Sequence, residues 1–275
     1  MAGSLWEKGA VTLDDGSKAE AQLPVIVSAS RSTDIPACYA DWFMERLDKG
    51  YVKWFNPFNN KPLYVGFAKT RLIVFWSKNP KPLLRHLETL DRRGINYYFQ
   101  FTLNDYVAEK LEPGVPSVEE RVATFGELSK RLGKDRVVWR FDPLVLSSRI
   151  GVEQLAGKIE RLGDSLAQYT TSLVFSFIDI GAYIKVGRNL KQCVPGAREF
   201  HPDEMEDLAA RIGKLAKGWG ITARTCAEKV NLGKYGIEPN RCIDDRLILT
   251  CFSHDSALMK FIGAEPPSLL NDQKW

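Results

Sequence analysis

The chain has 275 residues, of which 44% are hydrophobic and 26% charged, and carries a formal net charge of +4. That composition supplies a sizeable core and excludes a disordered or fibrous chain. The mildly basic balance contains no dense Lys/Arg run interleaved with aromatics, so it does not by itself imply a nucleic-acid partner.

Apolar stretches such as Leu72–Trp76 and Leu173–Ile180 are far shorter than a membrane span. Met1–Lys8 has no apolar core, so no secretory leader is expected there. The five cysteines (Cys38, Cys193, Cys226, Cys242 and Cys251) are odd in number and scattered. Such usage predicts reduced thiols in a cytoplasmic protein and no membrane association.

In chain order, residues 1–24 read as an N-terminal extension, and the first strand is expected over Val25–Ser30. A helix over Tyr39–Leu47 stops near Gly50. Tyr51–Phe67, with Pro57, Asn59-Asn60 and Pro62 between apolar runs, predicts a hairpin excursion inside the first crossover. A strand over Leu72–Trp76 precedes a helix from Pro80 to Arg93, with Leu83, Leu84, Leu87 and Leu90 on one face and Gly94 as its stop.

Tyr97–Leu103 is the next strand. Ser117 and Glu120 form a capping box for a helix that carries Val118, Val122, Phe125 and Leu128 and ends at Gly133. Strand Arg136–Phe141, helix Val152–Leu162 ending at Gly163, strand Leu173–Asp179, helix Pro202–Gly218 and strand Ile221–Cys226 follow. A further strand is expected near Ile243–Leu249.

The strand runs are nearly continuous in apolar content rather than alternating, which marks strands buried on both faces and therefore parallel. Alternation of parallel strands with helices predicts an α/β fold of the TIM-barrel-like (β/α) type, closed or partial, over residues 25–250, with 251–275 as a C-terminal segment. No G-x-G-x-x-G follows the first strand, so a dinucleotide-binding version lacks its phosphate loop.

Ligands of parallel α/β folds bind where strands end and helices begin. The candidates there are Ser30, Arg31 and Asp34 after the first strand, and Asn56 and Asn59 in the excursion. Lys78 and Asn79 follow the second, Arg140 and Asp142 the fourth, Asp179 and Lys185 the fifth, and Cys226 and Glu228 the sixth. Each has a structural alternative: Asp34 as a helix cap ahead of Pro36, Arg140 and Asp142 as an internal pair. As a group they suit a small carboxylate or phosphate ligand, held by Ser30, Arg31, Asn56, Asn59, Lys78, Asn79, Arg140 and Lys185. Asp34, Asp142, Asp179 and Glu228 are then the acid–base candidates.

Cys226 and Cys242 are candidates for metal binding or redox chemistry, or else small buried apolar groups. His86, His201 and His254 show no metal-ligand spacing.

Several segments together form a recognisable ordered set. They are Ser28-Ala-Ser30-Arg31-Ser-Thr33-Asp34-Ile35-Pro36, Asn56-Pro57-Phe58-Asn59, Phe75-Trp76-Ser77-Lys78-Asn79-Pro80, Arg140-Phe141-Asp142-Pro143, Ser176-Phe177-Ile178-Asp179 and Cys226-Ala-Glu228 with Cys242-Ile-Asp244. The set resembles the bacterial domain-of-unknown-function family 1848. The resemblance implies a barrel related in outline to radical S-adenosylmethionine enzymes, with S-adenosylmethionine and an iron–sulfur cluster held by a C-terminal cysteine-rich tail. After Asp245 this sequence has only Cys251, and no three-cysteine cluster motif occurs in it.

The expected function is an enzyme acting on a small anionic molecule at the strand ends. The alternatives are a nucleic-acid-associated, repair-like protein, motivated by a pI near 8.7 and seven tryptophans, and a non-catalytic ligand-binding barrel.

Overall fold

The computed structural model describes residues 6–30, 33–55, 60–181, 190, 194–226 and 230–264. The chain forms two compact units. One holds the described residues through Tyr98 together with those from Ile248 onward, and the other holds Phe99–Leu247.

In the first unit, β1 (Lys8–Thr12) and β2 (Lys18–Gln22) form an antiparallel hairpin over a turn in which Gly16 has φ +82°. After β3 (Ile26–Ala29) come α1 (Ile35–Cys38) and α2 (Ala40–Lys49), the latter closed by Gly50 in the left-handed conformation. The expected excursion is a hairpin of β4 (Tyr51–Phe55) and β5 (Pro62–Gly66). Because β2 pairs in parallel with β5, the extension and the excursion together make a four-stranded sheet in the order β1-β2-β5-β4. The N-terminal segment is therefore integral to the unit.

β6 (Leu72–Ser77) runs parallel to β3, with Ala29 opposite Phe75. The helix expected after Pro80 divides into a 3-10 stretch, Lys81–His86, and α3 (Leu87–Arg92).

β7 (Asn96–Thr102) crosses into the second unit. There follow α4 (Val118–Leu132), β8 (Val137–Leu144), α5 (Val152–Leu166), β9 (Ser172–Phe177), α6 (Pro202–Trp219), β10 (Thr222–Cys226) and β11 (Glu238–Asn240). Within this unit the strands lie in the order β7-β8-β9-β10-β11, every neighbouring pair parallel. The capping box of Ser117 and Glu120 is present in both directions. The chain is thus an α/β protein with parallel strands in both units, as the continuous apolar runs predict.

Two expectations are corrected. Ile243–Leu249 is not a strand: Asp244 accepts the backbone N–H groups of Arg246 and Leu247 and so starts a helix, α7 (Asp245–Phe252), in which Ile248 and Phe252 are buried. The last strand is instead the short β11 upstream. A final helix, α8 (Ser256–Ala264), lies in the first unit, where Asp255 ahead of it accepts from Arg71 and Asn96. The helix begun at Val152 also does not stop at Gly163. A Cβ there would lie 2.0 Å from the Trp219 indole, so the glycine marks the close approach of α5 and α6 and the helix runs on to Leu166. Among the described residues no helix is long and apolar enough to cross a membrane.

Side chains alternate between the two faces of each strand, and this decides where polar groups go in the second unit. One face meets helices: Phe101 stacks on Phe125 of α4 at 5.2 Å and Trp139 packs on Trp219 of α6 at 6.1 Å. The residues one position off these, Gln100 on β7, Arg140 and Asp142 on β8, Ser176 on β9 and Cys226 on β10, hydrogen-bond among themselves or lie beside one another on the opposite face.

Candidate ligand site on the polar sheet face

The centre of this face is Arg140, only 2% exposed. Its Nε donates to Asp142 Oδ2 at 3.1 Å, its Nη2 donates to the same oxygen, and its Nη1 donates to Gln100 Oε1 at 3.3 Å. The other carboxylate oxygen of Asp142 accepts from the Ser176 hydroxyl. Burial pulls the basicity of Arg140 down, but the charges of Asp142 and Cys226 outweigh it and hold the guanidinium above its ordinary value. It stays charged.

The loop after β7 fixes the backbone on both sides of Asp142. Asn104 Oδ1 accepts from the Asp142 N–H at 2.9 Å, and Asn104 Nδ2 donates to its carbonyl at 3.3 Å. Two residues on, the Tyr106 hydroxyl donates to the Pro143 carbonyl at 2.9 Å and accepts from the Val145 N–H at 3.0 Å. Burial raises the Tyr106 phenol far above its usual range, so it remains the neutral donor that this clamp needs. Behind Asn104 lie two more buried groups, Arg121 and Glu112: Arg121 donates to the Asn104 carbonyl and Glu112 accepts from its amide.

Sequence reasoning missed Tyr106, Glu112 and Arg121. Its only available signal was a charged residue on the buried side of the helix opened by Ser117. Tyr106→Phe is expected to cost about 1–3 kcal/mol, because a carbonyl and an amide are left buried without their partner. Denaturant unfolding of the two proteins measures it.

At the outer edge of the face, Cys226 ends β10 and Cys242 follows β11, with their Sγ atoms 3.4 Å apart. Gln100 Nε2 donates to the Cys242 carbonyl at 3.4 Å. The hydrogen bond with Cys242 lowers the Cys226 thiol to about 6; burial opposes this, and the nearby Arg140 guanidinium assists it. Arg224, two residues before Cys226, pairs with Asp244 at 3.2 Å and Glu238 at 3.5 Å.

Asp179 lies beyond the end of β9 and is exposed. Glu228 and Lys185 lie outside the described residues. A concavity elsewhere in this unit, about 400 Å³ and lined by Glu109, Arg149, Lys158 and Arg161 among others, has its main charges paired internally, Lys158 with Glu109 and Arg161 with Asp105.

In the first unit the candidates after β3 and β6 form their own cluster. Asp34 caps α1 by accepting from the Ala37 N–H at 3.0 Å, and it also accepts from the Ser77 hydroxyl at 2.8 Å and the Lys78 N–H at 2.7 Å. One carboxylate thus clips the start of α1 to the end of β6. Ser30 stands at φ +107°, a region that L residues rarely occupy, and its hydroxyl accepts from the Ile35 N–H at 3.0 Å. Asn79 is held through its N–H on Ser77 Oγ at 3.0 Å. Arg31, Asn56 and Asn59 lie outside the described residues.

The thiols of the described residues do not fit an iron–sulfur cluster, which needs several thiolates at one place. Among the described residues only Cys226 and Cys242 come together, and no group of three or more His, Cys, Asp or Glu is arranged to hold a metal ion.

Parallel strands, covering helices and a polar strand-end face define an α/β protein with a candidate ligand site in its second unit. The chain belongs to the family described as Domain of unknown function (DUF1848), whose family model matches residues 26–266. No curated protein matches it. Among solved structures, one described as an alpha-L-fucosidase from Bacteroides thetaiotaomicron VPI-5482 is similar at 10% identity. The match covers 87% of this chain and 94% of that one, with a TM-score of 0.31. A score that low carries no argument about function.

Proposed function

We propose that the protein is an enzyme that binds a small anionic molecule, a carboxylate or a phosphate, on the polar face of the second unit, with Arg140 as its cation and Asp142 as its acid–base group. The observation that supports this reading is the buried, charged guanidinium of Arg140. Burying an ionised group costs several kcal/mol unless it is paired and hydrogen-bonded. A purely apolar packing would avoid that cost, yet here a second cation, Arg224, lies two strands away on the same parallel sheet, with β9 between them.

A planar guanidinium suits bidentate recognition of an oxyanion. Asp142 is held by backbone clamps on both sides, and its side chain keeps 24% of its exposure. It is therefore both fixed and reachable, which a proton-transfer group requires. In the first unit Asp34 is engaged by three donors; its part in this reading is to hold Ser77 and Lys78 in place. The closed or partial barrel belongs to the same proposal, and an experimental structure would decide it by whether the outer edge of β11 is paired.

Thermal unfolding in a panel of anions tests the reading. Inorganic phosphate or a dicarboxylate should raise Tm progressively with concentration, since a ligand of the folded state alone stabilises it by mass action. Arg140→Lys, which keeps the charge and loses the fork, should abolish most of the rise. Equal shifts in both proteins, or none in either, would remove the proposal.

A further inference from the structure

Cys226 and Cys242 are separated by 16 positions in sequence but brought together by the parallel pairing of β10 with β11, in which Cys226 stands opposite Asn240. That register puts Cys242 just past the end of β11, beside the last residue of β10. Both thiols are half-buried, and their sulfurs at 3.4 Å are in van der Waals contact. A disulfide has its sulfurs about 2.05 Å apart, so closure needs a movement of little more than an ångström. Cys38, by contrast, is exposed and lies in the other unit.

We propose that Cys226 and Cys242 are a redox pair that interconverts between two thiols and one disulfide by exchange with a small-molecule disulfide. The thiolate of Cys226 attacks one sulfur of the oxidant, forming a mixed disulfide and releasing one small thiolate. Cys242, having lost its proton to solvent, attacks the Cys226 sulfur of that mixed disulfide and displaces the second small thiolate. Both protein sulfurs are oxidised, the small disulfide is reduced to two thiols, and the two thiol protons end on those products.

The hydrogen bond from Cys242, assisted by the positive charge of Arg140 beside that sulfur, makes Cys226 the attacking partner. Oxidation removes a negative charge from the neighbourhood of Arg140, so the redox state of the pair alters the field at the proposed anion site. The inference does not depend on that site being used.

The test is a titration of the full-length protein in glutathione buffers of falling reduced-to-oxidised ratio, followed by acid quench, alkylation, intact mass and peptide mapping. The expected product is lighter by two hydrogens, carries no glutathione, maps to a Cys226–Cys242 cross-link and returns to the dithiol with dithiothreitol, while Cys38 is alkylated throughout. Alkylation of both Cys226 and Cys242 at every ratio would overturn the proposal. So would a persistent glutathione adduct on Cys226 with Cys242 still alkylatable, or a cross-link to any other cysteine. The thermal shift with phosphate, measured on the fully reduced protein, reports separately on the anion site, so the two readings fail independently.

Discussion

Arg140→Met is expected to destabilise the protein by about 3 kcal/mol and to abolish its response to anions. Removing one partner of a buried ion pair costs about 3–5 kcal/mol, because the other charge is left in low dielectric without compensation. The lower end applies because the Asp142 side chain is 24% exposed and water can reach part of it. The orphan keeps its Ser176 hydroxyl and its clamped backbone, so the loss falls on the charge and not on the geometry.

A second variant separates those causes. Arg140→Met combined with Asp142→Asn leaves no unpaired carboxylate and should recover more than half of the lost stability. If the double variant is no more stable than the single one, packing around Arg140, and not its charge, is what the protein loses. Chemical unfolding of the three proteins under the same conditions decides this.

The second large effect concerns pH. With its folded value at about 6 against an ordinary thiol value of 9.0, reduced Cys226 is expected to react with iodoacetamide at a rate that reaches half its plateau near pH 6. An ordinary thiol in the same experiment still gains rate at pH 8–9. Cys242→Ala should move the midpoint upward most, since the Cys242 hydrogen bond is the largest lowering influence, and Arg140→Met should move it in the same direction.

The linked stability has a definite sign. A group whose value is depressed on folding stabilises the protein fully above its unfolded value and loses that contribution as pH falls through its folded value. The stability of the wild type relative to Cys226→Ala should therefore decline between about pH 9 and pH 6. A difference that grows as pH falls through this window would contradict the assignment of Cys226 as the thiolate.

The parallel strands were legible because Leu72–Ser77, Asn96–Thr102 and Ser172–Phe177 are apolar on both faces, and only strands covered on both sides tolerate that. β1 and β2 escaped the reading. β2 alternates Lys18 and Glu20 with alanines, β1 is mostly small residues after Lys8, the burial of both is slight, and the Asp14-Asp15-Gly16 turn between them was the signal to weigh. The run Ile243–Leu249 misled for the opposite reason: its apolar content is strand-like, while Asp244 at its head acts as a helix cap.

At the site, strand ends pointed to Arg140, Asp142 and Cys226, which lie together on one face of the sheet. The pairing of Cys226 with Cys242 depends on the β10–β11 register, which no local pattern encodes. Asp34 was legible as a cap, but its hold on Ser77 and Lys78 crosses from one strand end to another and required coordinates. Tyr106 and Arg121 sit in or behind an irregular loop with no periodic signal.

The most direct test of the central claim is the position of a bound anion in a crystal grown with inorganic phosphate or a dicarboxylate. An oxyanion is expected within about 3 Å of an Arg140 guanidinium nitrogen, on the sheet face that carries Asp142 and Ser176. An anion found only in the groove of Lys158 and Arg161, or none at a concentration that shifts Tm, would contradict it.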